Sequence, residues 1–218
     1  MQNALLEVKN LTININEHRT VNIDFSLERG ESVRISGKSG IGKTTVLRSL
    51  ARLNPVSGGD ILFDGIGFRQ IPSSEWRRKI IYVSQFPVMF PGSVLFNLQL
   101  PFSLRKSYKS QFNIEKAEEL VVRTGLDREF IHQDAAIISG GEAARIALVR
   151  ALLCDPDILM TDELTAPLDD ESAEQTVTLV KDWIRVGNRG LIVVAHRAEL
   201  WNEMITNKIE ITGSSLEQ

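Results

Sequence analysis

The chain has 218 residues, 43% hydrophobic and 24% charged, a balance that suits a globular protein able to bury one sizeable core. Its formal net charge of −3 shows no basic excess, which argues against nucleic acid as a partner. The single cysteine, Cys154, excludes an internal disulfide and fits a reducing compartment.

No apolar run approaches the roughly 20 residues of a membrane-spanning helix. The start, Met1-Gln2-Asn3-Ala4-Leu5-Leu6, lacks the charged and long apolar regions of a signal peptide. Any work at a membrane is therefore expected to go through a partner.

In chain order, residues 4–30 alternate polar and apolar positions and predict antiparallel strands. Val33-Arg34-Ile35 is a short strand entering a glycine-rich turn. Residues 44–53 predict a helix stopped by Asn54-Pro55. Ile61-Leu62-Phe63 is a strand between Gly58-Gly59 and Asp64-Gly65. Residues 79–83 predict a buried strand, followed by Gln85 and a Phe-, Pro- and Gly-rich loop over 86–92. Residues 93–135 are mostly helical in pattern, most clearly 113–124. Ser139-Gly140-Gly141 opens a helix with Ala143, Ile146, Val149 and Leu153 on one face. Ile158-Leu159-Met160-Thr161 is a strand, 172–186 a helix, 191–195 a strand, and 208–212 a last strand. Strands alternating with helices imply a mainly parallel sheet covered by helices.

Gly37-Lys38-Ser39-Gly40-Ile41-Gly42-Lys43-Thr44 matches the phosphate-loop pattern G-x-x-x-x-G-K-[ST] in full. The glycines let the backbone fold around phosphate oxygens without side-chain clash. Backbone N–H groups then form an anion nest, and the following helix adds its positive dipole end. Lys43 is expected to reach the β- and γ-phosphates, Thr44 to offer its hydroxyl to Mg2+, and Thr45 to lie near the α-phosphate. The strand ending in Asp162-Glu163 is the natural second half of such a site, because parallel sheets gather ligands at their carboxyl ends. Asp162 is expected to support Mg2+ through water, and Glu163 to act as general base or to orient the attacking water.

Ile138-Ser139-Gly140-Gly141-Glu142, followed by an Arg- and Ala-rich helix, forms a second anion-reading helix start. It resembles the L-S-G-G-Q signature of the ABC ATPases. One γ-phosphate with two phosphate-reading devices suggests a head-to-tail pair of chains, each ATP held by residues 37–45 of one copy and 139–141 of the other. The plainer reading of Ser139 is a helix N-cap. Gln85 resembles the family's Q-loop, which senses Mg2+ and contacts the transport partner. Leu168-Asp169 resembles the D-loop, and His196 the switch histidine that hydrogen-bonds the γ-phosphate. His18 and His132 read as surface residues.

The resemblance runs from about residue 5 to 212. It implies an α/β fold: a RecA-like P-loop core with a mainly parallel sheet, an N-terminal antiparallel β-subdomain and an inserted helical signature subdomain. Residues 1–218 then form one ABC ATPase domain, with the core and β-subdomain over about 1–85 and 155–218 and the helical part over about 86–154. Implied catalytic residues are Glu163, His196 and Gln85. Implied nucleotide contacts are Gly37, Lys38, Ser39, Gly40, Ile41, Gly42, Lys43, Thr44, Thr45, Ser139, Gly140 and Gly141. Implied metal-site residues are Thr44, Gln85 and Asp162, with ATP and Mg2+ as cofactors.

The chain departs from the usual motifs at Thr161, at Leu164 and at Ala166-Pro167, none of which removes a catalytic group. The position where the family often stacks an aromatic ring on adenine falls near Ile15, so Ile15 or His18 is left to pack on the base.

The resemblance implies an ATPase subunit at the cytoplasmic face of the plasma (inner) membrane, peripheral there and soluble when isolated. Its expected partners are a second copy of itself and a separately encoded integral membrane permease. The apolar loop 86–92, with Val94 and Phe96, suits a docking groove for that permease; ordinary packing of the helical lobe is the alternative. The segment around residues 85–98, the Asp-Glu-x-Thr variant and the short single domain look like small bacterial ATPases of the iron- or metal-export type. A non-transport ABC ATPase of DNA repair or translation is the other class. Lys43 and Ser139 lie too close in sequence to admit the long coiled coil of chromosome-maintenance relatives, and the chain has room for one ATPase domain where translation-type relatives usually carry two. Lys43, Asp162, Glu163 and His196 argue against an inactive nucleotide-binding module.

Overall fold

The computed structural model describes residues 4–103, 111–211 and 213–215. Two five-stranded sheets organise them. The first is antiparallel, with strands β1 (Leu6–Asn16), β2 (Arg19–Leu27), β4 (Gly58–Phe63), β5 (Ile66–Gly67) and β10 (Gly213–Ser215) in the order β10-β2-β1-β4-β5. The second contains β6 (Ile80–Val83), β7 (Ile158–Asp162), β8 (Gly190–Val194), β3 (Ser32–Ser36) and β9 (Asn207–Glu210), in that spatial order. All its pairings are parallel. The α/β architecture expected from the sequence is the one observed.

Both faces of the parallel sheet are buried, which is why β7 and β8 read as unbroken apolar runs. Their side chains divide by strand alternation. Ile158, Met160, Ile192 and Val194 join a core shared with the antiparallel sheet and helix α1 (Lys43–Leu50). Leu159, Leu191 and Val193 face a second core built from helices α3 (Val94–Ser103), α4 (Ile114–Arg123), α5 (Gly140–Leu153) and α6 (Asp170–Arg185). Helix α1 touches both β1 and β7 and so joins the two sheets.

Some boundaries differ from the sequence expectation. Helix α1 stops at Leu50 instead of Leu53, because Arg52 turns into the left-handed region (φ 56°). There its guanidinium donates to the carbonyls of Phe68 and Ile71, both at 2.6 Å. A further helix, α2 (Ser73–Lys79), was not expected. Its Trp76 is fully buried, packs edge-on against Phe63 and Phe68, and donates from Nε1 to the Leu50 carbonyl at 2.8 Å. That bond satisfies an orphan carbonyl at the end of α1.

Helix α4 agrees with the predicted span, with Asn113 as a side-chain N-cap. Helix α5 is buried on more sides than one, and Ala143 of its expected apolar face is only half-buried. The expected strand 208–212 is β9, ending at Glu210; Thr212 lies outside the described residues. Strand β10, absent from the sequence reading, pairs with β2.

Candidate nucleotide site

Strand β3 runs into the glycine turn, and three glycines there take positive φ: Gly37 (148°), Gly40 (71°) and Gly42 (116°). At Gly42 a side chain is excluded twice over. Besides the backbone angle, an added Cβ would lie 2.3 Å from Ile15 Cδ1. Gly42 is the N-cap of α1, makes no side-chain cap, and is followed by a first turn without acids. The N–H groups at that end are left to a ligand, and the helix dipole favours an anion there. Lys43 Nζ donates to the carbonyls of Gly37 at 2.9 Å and Lys38 at 3.2 Å, so the ammonium folds over the loop. Ile41 N donates to Lys38 O at 3.2 Å and closes the turn. Thr44 is exposed, while Lys43 and Thr45 are half-buried.

Because β3, β8, β7 and β6 are parallel neighbours, their carboxyl ends open at one edge. The phosphate loop follows β3, His196 follows β8, Asp162 ends β7 and Gln85 follows β6. Asp162 is 1% exposed and accepts a hydrogen bond from Tyr82 Oη at 2.9 Å. Burial and the Asp162 carboxylate push the Tyr82 pKa far up, so its hydroxyl stays a donor at all ordinary pH. Tyr82 is a site residue that the sequence analysis does not single out. The one signal was a polar tip inside the apolar run Ile80-Ile81-Tyr82-Val83.

Glu163 sits in the left-handed region (φ 50°), rare for a non-glycine residue, and is tied by its N–H to Val194 O at 2.8 Å. Its carboxylate is 15% exposed. One oxygen accepts from Gln85 Nε2 at 2.8 Å and the other lies 2.9 Å from His196 Nε2. Three residues spread over more than a hundred positions of sequence thus meet at one carboxylate. His196 is 65% exposed at its side chain and open to a ligand.

The signature segment is built differently. Ser139 caps α5 in a full capping box: Glu142 N donates to Ser139 Oγ at 3.2 Å, and Ser139 N donates to Glu142 Oε2 at 2.6 Å. The plain N-cap is thus real in the single chain. Gly140 borders open space, whereas a Cβ on Gly141 would come within 3.0 Å of Pro167 O. Gly140 and Ala143 share a hollow of about 360 Å3 with Gln85 and Ala166. Asp169 caps α6, accepting from Ser172 N and Oγ, both at 2.9 Å, and these bonds hold its pKa below the ordinary range. Among the described residues, no hydrogen bond joins residues 139–141 to residues 37–45.

The donor set fits Mg2+ and a nucleoside triphosphate: a glycine nest with unpaired helix N–H groups, an ammonium folded over it, an exposed Thr44 hydroxyl, and a buried carboxylate beside an amide. Thr44, Asp162 and Gln85 are the residues that could hold the metal.

The chain is similar to known proteins. The family profile described as ABC transporter matches residues 20–166. The Methionine import ATP-binding protein MetN 1 of Oenococcus oeni is 30% identical over 212 residues, covering 93% of this chain. The chain spans only 60% of that relative's length. The Probable iron export ATP-binding protein FetA of Escherichia coli is 31% identical over 175 residues, 80% of this chain and 76% of that protein. Among solved structures, cbiO1 from Clostridium perfringens, described as part of the ABC transporter complex cbiONQ, superposes with a TM-score of 0.79 at 22% identity. That match covers 97% of this chain and 86% of the other.

Proposed function

Since this chain belongs to the ABC transporter family, whose ATP-binding proteins hydrolyse ATP, we propose that it is the ATPase subunit of a transporter, working as a head-to-tail dimer on a separately encoded membrane permease. The observation that carries the reading is the Glu163 carboxylate held between Gln85 and His196 at the sheet edge that also bears the phosphate loop.

In this reading, residues 37–45 bind the phosphates through backbone N–H groups, and Lys43 leaves its carbonyl partners to meet the β- and γ-phosphates. Glu163 accepts a proton from water as the water oxygen bonds to the γ-phosphorus, and the bond from that phosphorus to the β-γ bridging oxygen breaks. His196 and Gln85 hold the Glu163 carboxylate and the γ-phosphate in register. Mg2+, when bound, neutralises charge on the β- and γ-phosphates. Ser139, Gly140 and Gly141 of a second copy close over the γ-phosphate.

The permease contact is proposed at the loop 86–92. Phe86 is 81% and Val88 66% exposed, large values for apolar side chains. The loop owes its shape to Asn97, fully buried. Its Oδ1 accepts from Phe90 N at 2.7 Å, and its Nδ2 donates to Phe90 O at 2.9 Å and Ser93 O at 3.0 Å. Beside the loop lies a cavity of about 330 Å3 lined by Ile81, Val83, Pro87, Pro101 and Ala151, with Arg77 and Arg150 at its walls. Among the described residues no helix is long and apolar enough to cross a membrane. For cargo, the reading is export of a metal such as iron, supported by the similarity to FetA. Raised iron in cells lacking this chain supports it; unchanged metal content discards it.

The test of the ATPase reading is Glu163→Gln, with turnover measured in ATP and Mg2+ and mass measured by light scattering with ATP and EDTA. Turnover should fall by about 10²- to 10⁴-fold, and ATP should convert monomer to dimer. Turnover at the wild-type rate would remove Glu163 from the reaction, and an ATP-independent mass would remove the nucleotide-dependent dimer.

A further inference from the structure

Accepting the ATP site of the proposed function, the inference concerns what meets the base. Beyond the phosphates, a nucleotide presents a flat aromatic face that needs an apolar or planar partner. The side chains that an added Cβ would meet at the positive-φ glycines of the phosphate loop are Ile15, Ile41 and Ile211, with no aromatic ring among them.

The tip of the β1–β2 hairpin reaches the loop by two side chains. Ile15 packs on Gly42. Arg19 Nη2 donates to the Gly40 carbonyl at 2.8 Å. Arg19 continues the inward stripe Val21, Ile23, Phe25 of β2, so a cation stands where alternation calls for an apolar residue. Its Nε is buried without a hydrogen-bond partner. Arg19 is half-buried, a guanidinium has five N–H donors, and no acid pairs with it among the described residues, so donors remain for a ligand.

We propose that Arg19 is a nucleotide-binding residue, its planar guanidinium stacking on the purine base while its bond to Gly40 O fixes the plane beside the phosphate loop. Lys43 already supplies the charge over the loop carbonyls, and Ile15 supplies an apolar edge. Guanidinium planes stack well on aromatic rings. His18, also at the hairpin tip, is exposed, and its only described hydrogen bond is from its backbone N–H to Asn16 Oδ1.

The experiment measures calorimetric affinity of the full chain for ATP and for inorganic tripolyphosphate, in wild type, Arg19→Ala, Arg19→Lys and Arg19→Tyr. ATP affinity should fall about tenfold in the Ala and Lys variants and return in the Tyr variant, the size expected for one stacked base. Tripolyphosphate affinity should stay within twofold throughout. Equal ATP affinity in wild type and Arg19→Ala would overturn the inference. So would a Lys variant that matches wild type, a parallel loss for tripolyphosphate, which marks a loop tether, or a Tyr variant that fails to recover. Wild-type protein that binds neither ligand would instead count against the ATP site itself.

Discussion

Two helix starts in this chain carry glycines and the pattern of an anion site, yet they are finished in opposite ways. At α1 the cap is Gly42, with no side-chain bond and no acid in the first turn. At α5 the cap is Ser139, in a closed capping box with Glu142. The first leaves its amides bare and lies at the parallel sheet's carboxyl edge, after β3. The second has satisfied two of its amides, those of Ser139 and Glu142, within the capping box. A helix N-terminus is a ready receptor only while its N–H groups lack a better partner. On the proposed reading the phosphate loop receives a triphosphate without help from a second copy. In the signature segment the Ser139 N–H and Oγ are already engaged with Glu142 in the single chain.

The largest way to break this contrast is Lys43→Ala. Removing the ammonium that folds over the loop should lower ATP affinity about 100-fold, measured by calorimetry. Near-wild-type binding would take the anion role away from α1. Ser139→Arg should leave ATP binding by the monomer intact while lowering turnover about 100-fold, because the blocked segment acts only in the closed pair. Loss of binding and turnover together would place Ser139 in the monomer's own site.

Gly42→Ala sharpens the comparison at its steric root. The new methyl meets Ile15, and a positive φ is costly for alanine, so ATP affinity should drop about tenfold with the fold retained by circular dichroism. The matching substitution at Gly140, where a Cβ meets open space, should leave ATP binding by the monomer unchanged. The smallest effect belongs to Glu142→Gln. Glutamine keeps the capping box but not the charge. ATP-driven dimerisation should tighten by about two- to fivefold, read by the ATP concentration at half-maximal dimer. A weaker dimer would show that the carboxylate is an asset to closure.

Legibility in the sequence followed the range of the interactions. The phosphate loop, the acidic strand end and the signature are local patterns, because turn, nest and helix start are made of adjacent residues. Gln85, Asp162, Glu163 and His196 could be placed at strand ends because a parallel sheet gathers such ends at one edge. Tyr82 could not be picked out, since its partner Asp162 lies on a neighbouring strand eighty positions away. Asn97 read as one polar residue in a helical stretch, and only the folded loop shows its three bonds. Helix α2 was invisible because its one deeply buried residue, Trp76, is held by the end of α1 and by Phe63 and Phe68. Helix α1 was read too long because periodicity continued past Leu50, while Arg52 was claimed by carbonyls at positions 68 and 71.

By itself, the order of residues determined the chemistry on offer: a glycine nest with Lys43 and Thr44, two acids closing an apolar strand, and a second helix start at Ser139. Tertiary structure decided which groups meet. It turned Glu163 into a left-handed conformation between Gln85 and His196, set Tyr82 on Asp162, and brought Arg19 and Ile15 from the hairpin tip onto the phosphate loop. The reason is physical. A backbone turn is paid for by its own few residues, whereas a side-chain contact across strands exists only after the sheets have packed and fixed its geometry.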